Sequence, residues 1–450
     1  MTQGMPMYWG AQSIRAERLP SLLKWAGGKE QELRYILPMV PPFRRYYEPF
    51  VGGGAVFFSI QAEMKFINDK STELINLYRM VAEQNTEFFQ TLNGLLYQWQ
   101  RISQFVDSHT VELLNMYKAY SMGVYPSSKM RELLFGFVLS YAEDFYEVFA
   151  EHLEKNSENF LREIKRNLVS KTTRMKQLEN KKGKLPESDI VANMESALKS
   201  AFYMHLRHLY NSINAYRIST GTATAIFFLV RENAYASMFR YNGRGEFNVP
   251  YGGISYNRKD LARKIAYMQS PEAQQHFANT VIENTDFEAF LQAYTPGADD
   301  FMFLDPPYDS DFSTYTHNTF DKSDQERLAS YLLKQCAAKF MLVIKNTPMI
   351  FNLYADKGLN IQTFDKKYLV SFQGRNNRES EHLMITNYDQ EPNQTHLAAV
   401  GAVQPYRAMT LPSDRRALPQ LSRNSTRSQH HTGGSVSLLQ AVAFHKHDSS

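Results

Sequence analysis

The sequence predicts an α/β protein split by a large helical insert. Short apolar runs bounded by turn residues alternate with helical patterns over about residues 20–80 and again over about 276–388. The stretch between, about 85–230, reads as mainly helical and is rich in Phe, Tyr, Leu and Lys. Two short strands also end in turns, "VGGG" and "DPPY", whose chemistry exceeds what a core requires. Strands alternating with helices build a largely parallel sheet covered on both faces.

At 450 residues and 43% apolar, the chain is long enough for two or three domains around a sizeable core. Its single cysteine, Cys336, excludes an internal disulfide framework and a Cys-based zinc site, and no metal is expected. Cys336 itself reads as a small buried hydrophobe on a helix. The first twenty residues lack the apolar stretch of a signal peptide, and the longest apolar run, "TATAIFFLV", is too short to span a bilayer. A soluble, cytoplasmic protein with no membrane partner is the expectation.

In chain order, residues 1–19 are read as an N-terminal extension, and 20–85 with 259–390 as one α/β domain. Residues 86–258 form the insert, which breaks at "KKGKLPESD", where Gly183 and Pro186 interrupt the helical pattern. Before that break, residues 162–184 hold nine Lys or Arg against Glu163 and Glu179, a local charge of +7 that could track phosphates, stand as a solvated helix face, or belong to a dimerisation helix pair. The runs "ANTVIEN", "FMFLD", "FMLVIKN" and "HLMITNY" supply the later strands. Residues 391–450, poor in aromatic and β-branched residues, read as a disordered tail.

The first α/β unit carries "YYEPFVGGGAVFFSI", residues 46–60. Its strand ends at Val51, and Gly52, Gly53 and Gly54 turn the chain into an expected helix beginning near Ala55. Glycines there let the backbone approach a nucleotide-like ligand, but the spacing of a phosphate-binding P-loop is missing. A second strand, "KFIND", sets Asp69 at its carboxyl end, where an acid accepts hydrogen bonds from both hydroxyls of a ribose. A nucleoside without a phosphate grip points to S-adenosylmethionine.

The strand "FMFL" stops at Asp305, Pro306, Pro307 and Tyr308, because a proline pair cannot continue it. A nucleobase amino group is a poor nucleophile whose lone pair is delocalised into the ring. A carboxylate from Asp305 and a carbonyl from Pro306 can hold its two hydrogens and turn that lone pair towards a methyl donor, with Pro307 stiffening the turn. Tyr308 offers a ring on which an extruded base stacks.

Four blocks in order, "LLKWAGGKE", "YYEPFVGGGAVFF", "FRYNGRGEFNVPYGG" and "FLDPPYDSDF", resemble the Dam-type (class α, D12) DNA N6-adenine methyltransferases. The resemblance covers roughly residues 20–100 and 225–388. It implies a Rossmann-like seven-stranded methyltransferase sheet with helices on both faces and one reversed strand, so that the α/β domain is catalytic and the insert is a helical target-recognition domain with a β-hairpin. By the same resemblance Trp25, Gly28 and Lys29 line the cofactor pocket beside Glu48, Phe50, Gly52 and Gly54. Asp69 binds the ribose, and Asp286 with Phe287, in "ENTDFEAF", contacts the cofactor adenine.

The third block stands where this family keeps its target-recognition hairpin. Arg240 and Arg244 are expected to reach phosphates or guanine edges, and Asn242 and Asn248 to turn the ribbon or read adenine. The implied activity is site-specific methylation of adenine in double-stranded DNA. It leaves open a cognate restriction endonuclease, the oligomeric state and the sequence recognised. Two other readings fit parts of the pattern: amino-methylation of RNA guanine N2 or of cytosine N4, and a catalytically silent DNA-binding relative.

Overall fold

The structure, a computed structural model, describes residues 14–15, 18–141, 157–308, 320–367 and 379–389. Among the described residues seven strands are formed: β1 (Arg45–Glu48), β2 (Met64–Asn68), β3 (Thr280–Glu283), β4 (Phe301–Leu304), β5 (Lys339–Lys345), β6 (Asn360–Lys367) and β7 (Glu379–Thr386). They make one sheet in the order β3-β2-β1-β4-β5-β7-β6. All pairs from β3 to β5 are parallel, and β7 runs antiparallel to both its neighbours, so it is the reversed strand of the seven. The α/β expectation and the methyltransferase-like topology are both borne out.

Side chains alternate between the faces of a strand, and each face here has its own core. Tyr46, Ile67, Phe301, Phe303, Met341 and Val343 enter one. Tyr47, Phe66, Met302, Leu304, Leu342 and Ile344 enter the other. Burial on both faces explains why these strands read as continuous apolar runs.

Helices follow in chain order. α1 (Thr72–Ala82) comes after β2 and is capped by Ser71, whose hydroxyl accepts from the Leu74 N–H. The insert supplies α2 (Thr86–Ser108), α3 (Thr110–Ser121), α4 (Ser127–Ser140), α5 (Ser157–Lys182), α6 (Glu187–Asn211) and α7 (Thr220–Asn233). α8 (Leu261–Met268) and α9 (Pro271–Phe277) lead into β3. α10 (Phe287–Ala293), α11 (Lys322–Lys334) and α12 (Pro348–Tyr354) cover the second face. The first face shares one continuous apolar core with the insert.

The break expected in the insert is present: α5 ends at Lys182, Gly183 takes φ +93°, and α6 starts directly after Pro186. The helix expected near Ala55 is not formed. A single 3-10 turn, Phe57–Ser59, stands there instead. The carbonyls of Phe58 and Ser59 accept from Leu19 and Arg15, which diverts them from a helix, and Phe57 and Phe58 pack among Tyr78, His276 and Phe277. Cys336 is half-buried just beyond α11, and burial pushes its thiol up to about 11, away from a reactive thiolate. The expected disordered tail, the first thirteen residues, and Asp309 to Phe312 of the fourth block lie outside the described residues.

Candidate active site

β1, β2 and β4 are adjacent and parallel, so their carboxyl ends open on the same edge of the sheet. In open α/β sheets that edge is where ligands bind. A cavity of about 340 Å³ lies there. Trp25, Gly28 and Lys29 line it, with Glu48, Phe50, Gly52, Gly54 and Asp69 from the first unit. Asp286 and Phe287 come from the start of α10, and Asp305, Pro306, Pro307 and Tyr308 from the end of β4. The fourteen residues expected from sequence to bind cofactor or carry chemistry thus surround one space.

The glycine turn is shaped by close approach. Gly52 and Gly54 have φ of +47° and +71°, a region that strains other residues. A Cβ on Gly54 would sit 2.4 Å from the Tyr78 hydroxyl, and one on Gly52 3.2 Å from the Trp25 ring. Tyr78 fixes the turn by donating to the Gly52 carbonyl at 3.0 Å. Asp69 closes it from below: its carboxylate accepts from Gly52 N at 3.0 Å and from Ser71 N at 2.9 Å. Burial raises the Asp69 pKa, and these backbone N–H groups act the other way.

In the same cavity, Lys29 organises the end of β4. Only 2% exposed, it donates to Asp305 Oδ1 at 2.5 Å, to the Tyr308 hydroxyl at 2.9 Å and to the Gly27 carbonyl at 3.0 Å. Gln325, buried on α11, donates to the Pro307 carbonyl at 3.0 Å, and His382 on β7 lies 3.2 Å from the Tyr308 hydroxyl. The turn is thereby held by side chains from both of its flanks.

Glu48 ends β1 inside the same space. It is 2% exposed and accepts from the Tyr46 hydroxyl at 2.7 Å. Burial holds its carboxyl well above the usual range, and the nearby Asp305 adds to this. On the far wall Phe50 meets Phe287 and Phe320 with ring centroids 5.5 and 5.4 Å away, an aromatic corner suited to a flat ring. Asp286 caps α10 through the Glu288 N–H and pairs with Arg327 at 2.7 Å. Although burial opposes it, the Arg327 guanidinium leads the groups that hold Asp286 below the usual carboxylate range.

Arg240, Asn242, Arg244 and Asn248 sit outside the cavity, on a hairpin closed by the Tyr241–Phe247 bridge. The Asn242 side chain accepts from the N–H groups of Arg244 and Glu246, so it shapes the turn. The Arg240 guanidinium donates to Asn248 Oδ1 at 2.9 Å, while Arg244 stands exposed at the tip. The rings on either side of Arg240 face inward: Phe239 and Tyr241 line the cavity itself.

Sequence reasoning missed the residues that seat this hairpin. Asn211 exchanges two hydrogen bonds with the backbone of Phe247, and Tyr203 and Arg207 both donate to the Val249 carbonyl. Tyr210 joins Tyr241 at 3.1 Å and donates to Glu73 at 3.3 Å, beside the cavity. Buried Arg231 lies over the rings of Phe239 and Trp25 at 4.3 and 5.2 Å. These side chains lie on α1, α6 and α7, where they read as ordinary amphipathic positions; the one available signal was polar residues inside otherwise apolar faces.

Comparison with known proteins converges on the same assignment. The family model for D12 class N6 adenine-specific DNA methyltransferases matches residues 25–135 and 135–370. The Type II methyltransferase M.CviBI of Paramecium bursaria Chlorella virus NC1A is 25% identical over 374 residues, 82% of this chain and 99% of that protein. The Type II methyltransferase M.MjaIII of Methanocaldococcus jannaschii is 24% identical over 385 residues, covering 81% and 98%. A DNA adenine methylase of Vibrio cholerae is 21% identical over 364 residues, covering 79% and 92%. Matched by its family model over well over half its length, the chain belongs to the D12 class N6 adenine-specific DNA methyltransferases.

Proposed function

We propose that the chain is a site-specific enzyme that transfers the methyl group of S-adenosylmethionine to N6 of an adenine turned out of double-stranded DNA. The observation that carries this reading is that Asp305, Lys29 and Tyr308 form one hydrogen-bonded group lining the same cavity as Gly52 and Asp69. Methylation of DNA adenine is the activity of the family; the cofactor, the extruded base and the roles of individual residues are the proposal.

The residues present fit the cofactor. Asp69, fixed by two backbone N–H groups, offers carboxylate lone pairs to a pair of hydroxyls. The close-approach glycines keep the cavity open beside Trp25, and Phe50 and Phe287 supply a stack for a purine. When bound, S-adenosylmethionine supplies an electrophilic methyl group. The chain's own side chains do the rest. Asp305 and the Pro306 carbonyl accept the two hydrogens of the adenine amine, and Tyr308 stacks on the ring. Lys29 fixes the carboxylate and the hydroxyl relative to each other, so little reorganisation is needed as positive charge grows on N6. The amine proton leaves only after the nitrogen is cationic, because a carboxylate is far too weak a base to take it earlier.

The domains divide the labour: 20–85 and 259–390 hold the chemistry, and 86–258 reads the DNA. Incubating the purified chain with plasmid and S-adenosylmethionine, then mapping modified bases by single-molecule sequencing, tests the reading. N6-methyladenine within one short recurring sequence is expected, and an Asp305→Asn chain should modify it more slowly by roughly two orders of magnitude or more. Methyl groups on cytosine, or no modification by the parent chain, would overturn the proposal.

A further inference from the structure

We propose that the outward ridge of α5 is a second DNA-contacting surface, which grips backbone phosphates of the duplex flanking the methylated sequence. The inference rests on the chain's acting on duplex DNA through its hairpin.

Arg162, Arg166, Ser170, Arg174, Gln177 and Lys181 are all exposed. They follow one another at steps of four or three residues, which places them along a single ridge of a helix. An exposed acid, Glu158, precedes the ridge by one turn, and the two acids within it are turned away. Glu163 and Glu179 are 7% and 8% exposed. Glu179 is taken up by Ser121, Lys184 and the Leu185 N–H, and Glu163 by Asn167 and, at 3.4 Å, by Arg166. Between Arg162 and Lys181 no exposed position carries an acid. Among the described residues no carboxylate pairs with Arg174 or Lys181.

The ridge borders the hairpin. α5 lies along α6, with Asn159 against His205 at 3.2 Å and Asn167 accepting from Ser200 at 2.8 Å. On α6, Tyr203, Arg207 and Asn211 then hold the hairpin's return strand. Arg207 lies within electrostatic reach of Glu163 and Arg166 on one side and of Glu246 in the hairpin turn on the other. α5 and the hairpin are therefore both seated on α6, with Arg207 electrostatically coupled to each.

Arg162 to Lys181 spans about 28 Å at 1.5 Å per residue. That is the axial length of roughly eight base pairs, with a negative charge about every 1.7 Å. Guanidinium groups suit phosphate oxygens through paired N–H donors. A second copy of the same ridge would be repelled by it, which argues against a self-pairing helix.

The test compares the full chain with a combined Arg162→Gln, Arg166→Gln, Arg174→Gln variant on duplexes of about 14 and about 34 base pairs centred on the methylated sequence. Dissociation constants are measured by fluorescence anisotropy between about 50 and about 200 mM salt. The parent is expected to bind the long duplex more tightly. The variant should lose that advantage, weakening about tenfold or more on the long duplex, with a log–log salt slope shallower by about 2.7. Its affinity for the short duplex and its methylation rate at saturating DNA should match the parent's, and the corresponding Arg→Lys variant should restore the slope. An unchanged slope, or equal weakening on both duplexes, would overturn the ridge as a flanking contact. A parent that methylates DNA but binds both lengths equally would sink this inference alone; a parent that methylates nothing would sink the proposed function.

Discussion

Lys29 and Asp305 are 276 positions apart in the chain and 2.5 Å apart in the fold. The ammonium also reaches Tyr308, so one buried cation sets the spacing between Asp305 and Tyr308, the proposed acceptor and stacking ring of the "DPPY" turn. Lys29→Met should therefore misplace both. Single-turnover methyl transfer is expected to fall by roughly two orders of magnitude, the scale seen when preorganised electrostatic partners are removed. A Lys29→Met chain that loses only cofactor affinity and keeps its single-turnover rate would assign the lysine to binding instead.

In the proposed mechanism, Asp305→Asn removes the charge that meets the developing cation on N6. The rate should fall by roughly two orders of magnitude or more, with DNA and cofactor affinities little changed. Tyr308→Ala should act earlier, by weakening base extrusion, which 2-aminopurine fluorescence at the target position reports; Tyr308→Phe keeps the ring and should be milder. A near-normal single-turnover rate for Asp305→Asn would remove the carboxylate from the mechanism.

Asp69→Ala takes away a carboxylate already aimed by Gly52 N and Ser71 N. Losing a charge-assisted pair costs on the order of 1.5–3 kcal/mol, so S-adenosylmethionine should bind about ten- to a hundredfold more weakly by calorimetry. Unchanged affinity would exclude Asp69 from the cofactor site.

Glu48 gives a pH prediction. Burial raises its folded pKa well above the ordinary value, while in the unfolded chain it ionises near about 4.3. Folding thus takes up a proton between those two values, and stability present in full below about 4.3 is lost as pH rises towards the folded pKa, by up to about 1.4 kcal/mol per pH unit. Glu48→Gln abolishes that loss. Its urea midpoint should exceed the parent's at pH 8 and approach it near pH 5; the opposite trend would mean that Glu48 is charged in the folded chain.

What could be read from the sequence was what local chemistry dictates. Strands buried on both faces announce themselves as unbroken apolar runs, and the glycine turn and the proline pair mark strand ends where side chains are offered to a ligand. The helix expected at Ala55 failed because the partners of Phe58 and Ser59 lie some forty residues upstream, at Leu19 and Arg15, and no local pattern shows them. The same holds for Lys29. Its place in "WAGGKE" suggested the cofactor pocket, but its pairing with Asp305 exists only once the sheet brings the loop before β1 over the end of β4. Gln325, Tyr210 and Asn211 were invisible for the same reason, since each acts on a backbone or side chain distant in sequence.

Phe239 and Tyr241 stand on the hairpin and yet line the cavity, tied there by Arg231 and by Tyr210. Hairpin and cavity therefore share a wall. If the hairpin reads the DNA as proposed, one transplanted from a relative would leave the cavity open on one side unless it brought its own rings at these two positions, so the proposed reading element is not a detachable cassette.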